Sequence, residues 1–287
     1  MFGALLGSFA GALIWRLHEF RENDSLDTEK LWRGFWGFRK MPNGQKISER
    51  YRHSYCENCN HKLGIMDLIP VISWLFLGGK CRYCGAKIGG QVFAIELTGG
   101  VLFAISYLLW PVSHAEFANF QIIDFANFGL WLLMLWLMLS LLFYDARWHK
   151  LPNFFMYPLI LLSILFAVVN LDFANFGSSL IAIGLATIPV FGVYLLLFIV
   201  SAGKWVGFGD VKFGLVVALI FADWRLAITV LILANFSGTA FALPGLVSRK
   251  LSPTSQIAFG PFLIGASLFI FLFAKPVIAF FANFLLI

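Results

Sequence analysis

Long apolar runs divided by short polar breaks make up most of this chain. They fall near 91–111, 128–144, 153–170, 179–201, 211–222, 226–247 and 257–275, after a shorter apolar, small-residue-rich stretch, MFGALLGSFAGALIW, at 1–15. Runs of about 20 apolar residues read as membrane-spanning helices, and these recur too often for a signal peptide or a single anchor. The pattern predicts an all-α polytopic membrane protein of about eight transmembrane helices. The first is short for a full span. The run at 211–222 is also short, and Asp223-Trp224-Arg225 leaves little room for a loop, so 211–247 reads as two spans or as one kinked pair. A single long polar segment interrupts the pattern. The expected organisation is a first helix at 1–15, a polar loop at 16–90 and a seven-helix membrane domain at 91–287.

Composition agrees: 60% of the 287 residues are hydrophobic and 13% charged, with a mean hydropathy of +0.83, far from the balance of a soluble domain. The net charge of +6 would suggest an anionic partner in a soluble protein. Here the positive-inside rule accounts for it, and no nucleic acid is expected. Residues 16–90 hold 13 of the 21 Lys and Arg. With that loop in the cytoplasm, eight spans bring Arg147, Lys150, Lys204, Lys212, Arg249 and Lys250 to the same side and leave only Arg225 and Lys275 outside. Both termini then lie outside. The tetrapeptide FANF recurs at 117–120, 125–128, 173–176 and 281–284 with irregular spacing, three copies falling near expected outer boundaries, where aromatic rings suit the headgroup level.

The polar loop carries all four cysteines, as Cys56-Glu57-Asn58-Cys59 and Cys81-Arg82-Tyr83-Cys84. Two CxxC knuckles at about this spacing build a four-thiolate zinc site, structural because no coordination position stays open. The other reading pairs each CxxC as a disulfide, which a reducing cytoplasm disfavours. Asn60 and Gly85 follow the knuckles in good turn context, and His53 and His61 read as solvated rather than as ligands.

Two carboxylates stand at the cytoplasmic edge of apolar runs. Asp210 lies in Gly207-Phe208-Gly209-Asp210-Val211-Lys212, and Asp145 in LLFYDARWHKLPN. Two acids brought close in a water-accessible pocket cannot both ionise easily, which supplies a general base and a general acid for attack of water on a peptide carbonyl. Placement alone leaves other readings open: Asp145 balanced by Arg147 and Asp210 by Lys212, or an acid pair that relays protons or cations. Gly207 and Gly209 would let a substrate backbone reach Asp210. Phe208 reads as packing, Lys212 as tuning Asp210 or anchoring the helix end, and Glu96, in FAIELTGG, as orienting the site or bonding between helices.

Further stretches carry a resemblance. GSFAGALIWRL at 7–17, CENCNHKLGIMDLIPVISWLFLGGKCRYCGAKI at 56–88, IELTGG at 95–100, YDARWHKLPN at 144–153, GFGDVK at 207–212 and FGPFLIGA at 259–266 occur in this order. The chain resembles the type IV prepilin peptidases, membrane aspartic proteases with a GxGD motif, over nearly its whole length. The resemblance implies that Asp145 and Asp210 are the catalytic pair. It implies cleavage of basic leader peptides from prepilins or pseudopilins at the cytoplasmic face of the bacterial inner membrane. Many members also methylate the new N-terminus with S-adenosylmethionine; no glycine-rich nucleotide fingerprint accompanies that expectation here. The family usually carries an aspartate where this chain has Asn153, which leaves Asp145 as the acid of its loop. The basic, aromatic insert LWRGFWGFRK at 31–40 suits either an anionic inner leaflet or a solvated loop. Presenilin-type proteases share the YD and GxGD pairing but lack the paired CxxC knuckles. A zinc-ribbon adaptor or ion carrier is the alternative outside enzymes.

Overall fold

The computed structural model describes residues 1–23, 53–109, 122–248 and 258–285. Among these the chain is helical, its only β pairing being two isolated bridges. It forms two compact units, Met1–Ile105 and Ser106–Ile287.

In the first unit, helix α1 (Phe2–Asn23) runs well past the expected end at residue 15, because nothing in WRLHEFREN breaks a helix. It packs on α3 (Gly90–Leu109) through small residues one turn apart. A Cβ at Gly3 would lie 2.6 Å from the Gly99 carbonyl oxygen, and one at Gly7 2.6 Å from that of Ile95. Such backbone-to-backbone approach holds apolar helices together where hydrophobicity cannot. It also explains why most of α3 belongs with α1 rather than with the helices that follow. Between them lie the two knuckles, a 3₁₀ turn at Ile65–Asp67 and a short helix, α2 (Ile72–Phe76).

The second unit contains α4 (Ile122–Trp148), α5 (Asn153–Val169), α6 (Phe176–Thr187), a π turn at Ile188–Gly192, α7 (Val193–Val200), α8 (Phe208–Phe221), α9 (Trp224–Val247), α10 (Gly260–Leu272) and α11 (Ala274–Leu285). Helix α8 is the one the others surround. Apolar on every side, it buries Val211, Phe213, Val216, Val217, Ala218 and Ile220, as a fully enclosed helix must. Its 14 residues reach only about 21 Å. Ala222, left-handed at φ 48°, ends it, and Asp223 caps α9 by accepting the Arg225 N–H at 2.8 Å. The stretch 211–247 is therefore two helices.

Among the described residues four helices are long and apolar enough to cross a membrane: Gly90–Leu109, Ile123–Trp148, Phe176–Val200 and Trp224–Val247. The run expected at 257–275 is instead two helices meeting at 82°, which make a fifth span if counted together. The expected spans at 1–15, 153–170 and 211–222 are helices that fall below that mark. The FANF copy at 125–128 opens α4, and its Asn127 exchanges amide hydrogen bonds of 3.2 and 3.0 Å with Asn170 at the end of α5. The copy at 117–120 and the insert at 31–40 lie outside the described residues.

Candidate active site

The GxGD turn is a helix start. Gly207 is the N-cap of α8 at φ −75° and ψ 147°, which puts Asp210 in the first turn. There its carboxylate reaches back to the Gly207 N–H, the acid half of a capping box. Asp145 stands in the last turn of α4, where His149, at φ 52°, closes the helix by donating to the Asp145 carbonyl at 2.8 Å. The Asp145 carboxylate accepts from the backbone N–H of Gly260, at the start of α10.

Both acids are buried, Asp145 to 5% exposure and Asp210 to 9%, and the charge of Asp145 acts on Asp210. Leu151 joins their settings. Its side chain would meet a Cβ at Gly209 at 2.8 Å and one at Gly260 at 3.2 Å. The close approach that Gly209 permits is thus made by Leu151, not by open space for a substrate backbone. Tyr194 of α7, 2% exposed, is a further neighbour that interacts electrostatically with Asp210.

Lys212 turns elsewhere. Its ammonium donates to Asn153 Oδ1 at 2.8 Å and lies over the rings of Tyr157 and Phe208 at 4.9 and 5.0 Å. It therefore clamps α8 to α5, and Phe208 is one jaw of the clamp. Glu96 belongs to the first unit. Buried at 5% exposure, it accepts the Val71 N–H at 2.7 Å, holding a β-branched residue at φ 64°, a conformation that costs such residues.

The four cysteines converge, with all four sulfurs within 4.8 Å of one another and Cys56 Sγ 3.7 Å from Cys84 Sγ. Tetrahedral zinc–thiolate bonds of about 2.3 Å would set the sulfurs about 3.8 Å apart, so the group fits. The knuckles are alike in construction. Asn60 donates to the Cys56 carbonyl and Gly85 to that of Cys81, both at 2.9 Å, and both residues are left-handed. The Ala86 backbone N–H and the Asn58 amide lower the pKa of the Cys84 thiol, while that of Cys59, hydrogen-bonded to the other three thiols, is raised, so the four sulfurs act on one another as one group. Asp67 pins the second knuckle to the linker, accepting from Arg82 at 2.6 Å, Tyr83 at 3.1 Å and the Gly64 N–H at 3.0 Å. His61 stacks on Tyr83 and His53 meets Lys62, and neither joins the cysteine group.

Leu151, Asn153, Tyr194 and Gly260 were not singled out as site residues by sequence reasoning. The Gly-Pro pair at 260–261, which opens a helix, was the one local signal.

Comparison with known proteins bears on the family rather than on single residues. The bacterial peptidase A24 N-terminal domain matches residues 1–110, and the type IV leader peptidase family matches residues 132–243. The prepilin leader peptidase/N-methyltransferase of Dichelobacter nodosus is 30% identical, across 96% of this chain and 91% of that protein. That of Stutzerimonas stutzeri is 28% identical, across 91% and 84%. No solved structure matches. With a relative of that identity aligned along almost its full length, the chain belongs to the type IV leader peptidase family of peptidases.

Proposed function

We propose that this chain is an aspartic endopeptidase that removes basic leader peptides from prepilins or pseudopilins at the cytoplasmic face of the bacterial inner membrane. The observation that carries this reading is the pair of buried carboxyls, Asp145 and Asp210, brought from two helices near enough for the charge of Asp145 to act on Asp210. One carboxylate takes a proton from water as the water oxygen attacks the scissile carbonyl carbon. The other, as carboxylic acid, gives its proton to the amide nitrogen as the C–N bond of the tetrahedral intermediate breaks. The Gly260 and Gly207 N–H groups hold the two acids in place, and their burial keeps bulk water away.

The eight-span topology, with segment 16–90 inside, belongs to this reading, because it sets both acids and the basic loop on the leader's side of the bilayer. The cysteine group would hold a structural zinc, with no open position for catalysis. The methyltransferase in the relatives' names extends the proposal to transfer of a methyl group from S-adenosylmethionine to the freed α-amine. Coexpression of a prepilin with Asp145→Asn or Asp210→Asn tests the peptidase. Unprocessed prepilin beside normally inserted enzyme is expected, and leader removal by either variant would overturn the pair. The mass of the mature N-terminus reports methylation in the same samples.

A further inference from the structure

A cavity of about 240 Å³ lies between α9 and α10, lined by Asn235, Gly238 and Thr239 on one side and Phe259 and Phe262 on the other. Its walls connect to both acids through neighbouring residues. Phe259 directly precedes Gly260, whose N–H holds Asp145. Asn235 donates to the Tyr194 hydroxyl at 3.2 Å, and the Tyr194 ring meets Phe259 edge-on at 5.8 Å while interacting with Asp210.

Two polar functions facing this space are unspent. The Asn235 amide group donates to Tyr194 and to the Leu231 carbonyl, and its Oδ1 has no partner among the described residues. The Thr239 hydroxyl has none either. Thr98, Thr187 and Thr229 each return their hydroxyl to the carbonyl four residues back, at 2.7, 2.8 and 2.7 Å. Asn235 and Thr239 are one turn apart on a single face, in a helix apolar enough to cross a membrane. Both side chains are exposed, and on a helix that crosses a bilayer an exposed polar group without a protein partner marks a ligand path.

A peptide bond within a helix has its carbonyl and neighbouring N–H groups already bonded. To be cut it must be unwound, and in apolar surroundings each freed backbone group then needs a partner. We propose that Asn235 and Thr239 supply those partners, binding the extended backbone beside the scissile bond while an apolar substrate side chain packs over Gly238 against Phe259 and Phe262. This rests on the peptidase reading and makes both residues positioning residues for a membrane-inserted polypeptide.

Gly238 gives the sharpest test. A Cβ there would touch the Phe259 and Phe262 rings at 3.5 Å, an ordinary contact, so Gly238→Ala fits the fold and favours the helix while occupying the cavity. With purified enzyme and a prepilin, Gly238→Ala and Thr239→Val should each raise KM about tenfold with kcat nearly unchanged, the mark of lost uniform binding. Thr239→Ser should restore KM, and the thermal midpoint of Gly238→Ala should hold or rise. An unchanged KM in both variants, or losses that follow thermal stability, would overturn the proposal. Intact prepilin should copurify with Asp145→Asn and be lost when Gly238→Ala is added. Cleavage by Asp145→Asn would instead sink the acid pair and leave this binding comparison standing.

Discussion

Gly260 holds Asp145 through its backbone N–H and leaves the carboxylate no room beyond that bond. A Cβ at Gly260 would lie 2.6 Å from Asp145 Oδ2. Gly260→Ala should therefore displace the acid while α10 stays helical. A shift near 1 Å in a reacting group costs about 100-fold in rate. Prepilin processing should fall by about that factor, with kcat rather than KM taking the loss. Wild-type turnover in Gly260→Ala would remove the bond from the catalytic geometry.

The Lys212 clamp leads to an opposite expectation. Lys212→Met loses a charge-assisted hydrogen bond to Asn153 and two ring contacts, which should lower stability by about 1 kcal/mol. The pH profile of cleavage should not move, because the ammonium faces Asn153. Asn153→Asp should raise the thermal midpoint by turning the bond into an ion pair. A displaced pH profile in Lys212→Met would show that Lys212 acts on the acids after all.

Glu96 is separable by isostere. Glu96→Gln keeps an acceptor for the Val71 N–H, whereas Glu96→Leu leaves that part-buried N–H unpaired, at a cost of about 1 kcal/mol. Limited proteolysis of the 56–88 linker should quicken in the leucine variant and stay slow in the glutamine one. Equal rates would mean the bond does not secure the linker.

Metal content checks the cysteine group. Purified protein should carry one zinc per chain, lost in Cys56→Ser and Cys81→Ser. Chelation should expose the linker to protease without releasing the chain from the membrane. Protein purified without added chelator and free of zinc would refute the site.

Asp67 predicts a pH window. Burial pushes its carboxyl upward, but the bonds from Arg82, Gly64 and Tyr83 outweigh it and hold the group below the usual carboxylate range. A lowered folded value means stability present in full above the unfolded value of about 4 and lost as pH falls through the folded one. The stability difference between wild type and Asp67→Asn should thus be constant above about pH 5 and shrink below about pH 4. A difference that grows on acidification would reverse the assignment.

Much of this site was legible because its chemistry is carried by residue types that apolar helices otherwise avoid. Asp145, Asp210 and the four cysteines stand out from their surroundings by charge or spacing. Leu151 and Gly260 do not, because their part depends on which loops meet, and nothing local to either loop encodes that meeting. The partner of Lys212 was hidden for the same reason, since Asn153 lies 59 residues away. The bend after α10 had a local sign in Pro276, just inside α11, which an apolar count passes over. Helix α1 outlasts the apolar run at 1–15 because Arg and Glu are good helix formers, so the end of hydrophobicity is not the end of the helix.

The π turn at Ile188–Gly192, with Pro189 inside it, sets the phase of everything after it. A surplus residue in one turn rotates the helix beyond by about 100°. Tyr194, which meets Asn235 and Phe259, and Phe198, which meets Phe208, both lie downstream. Their direction is thus a matter of angle settled before either residue is reached. Deleting one residue there would leave a helix of regular pitch whose aromatic side chains face the wrong way, a dead enzyme with every active-site residue intact.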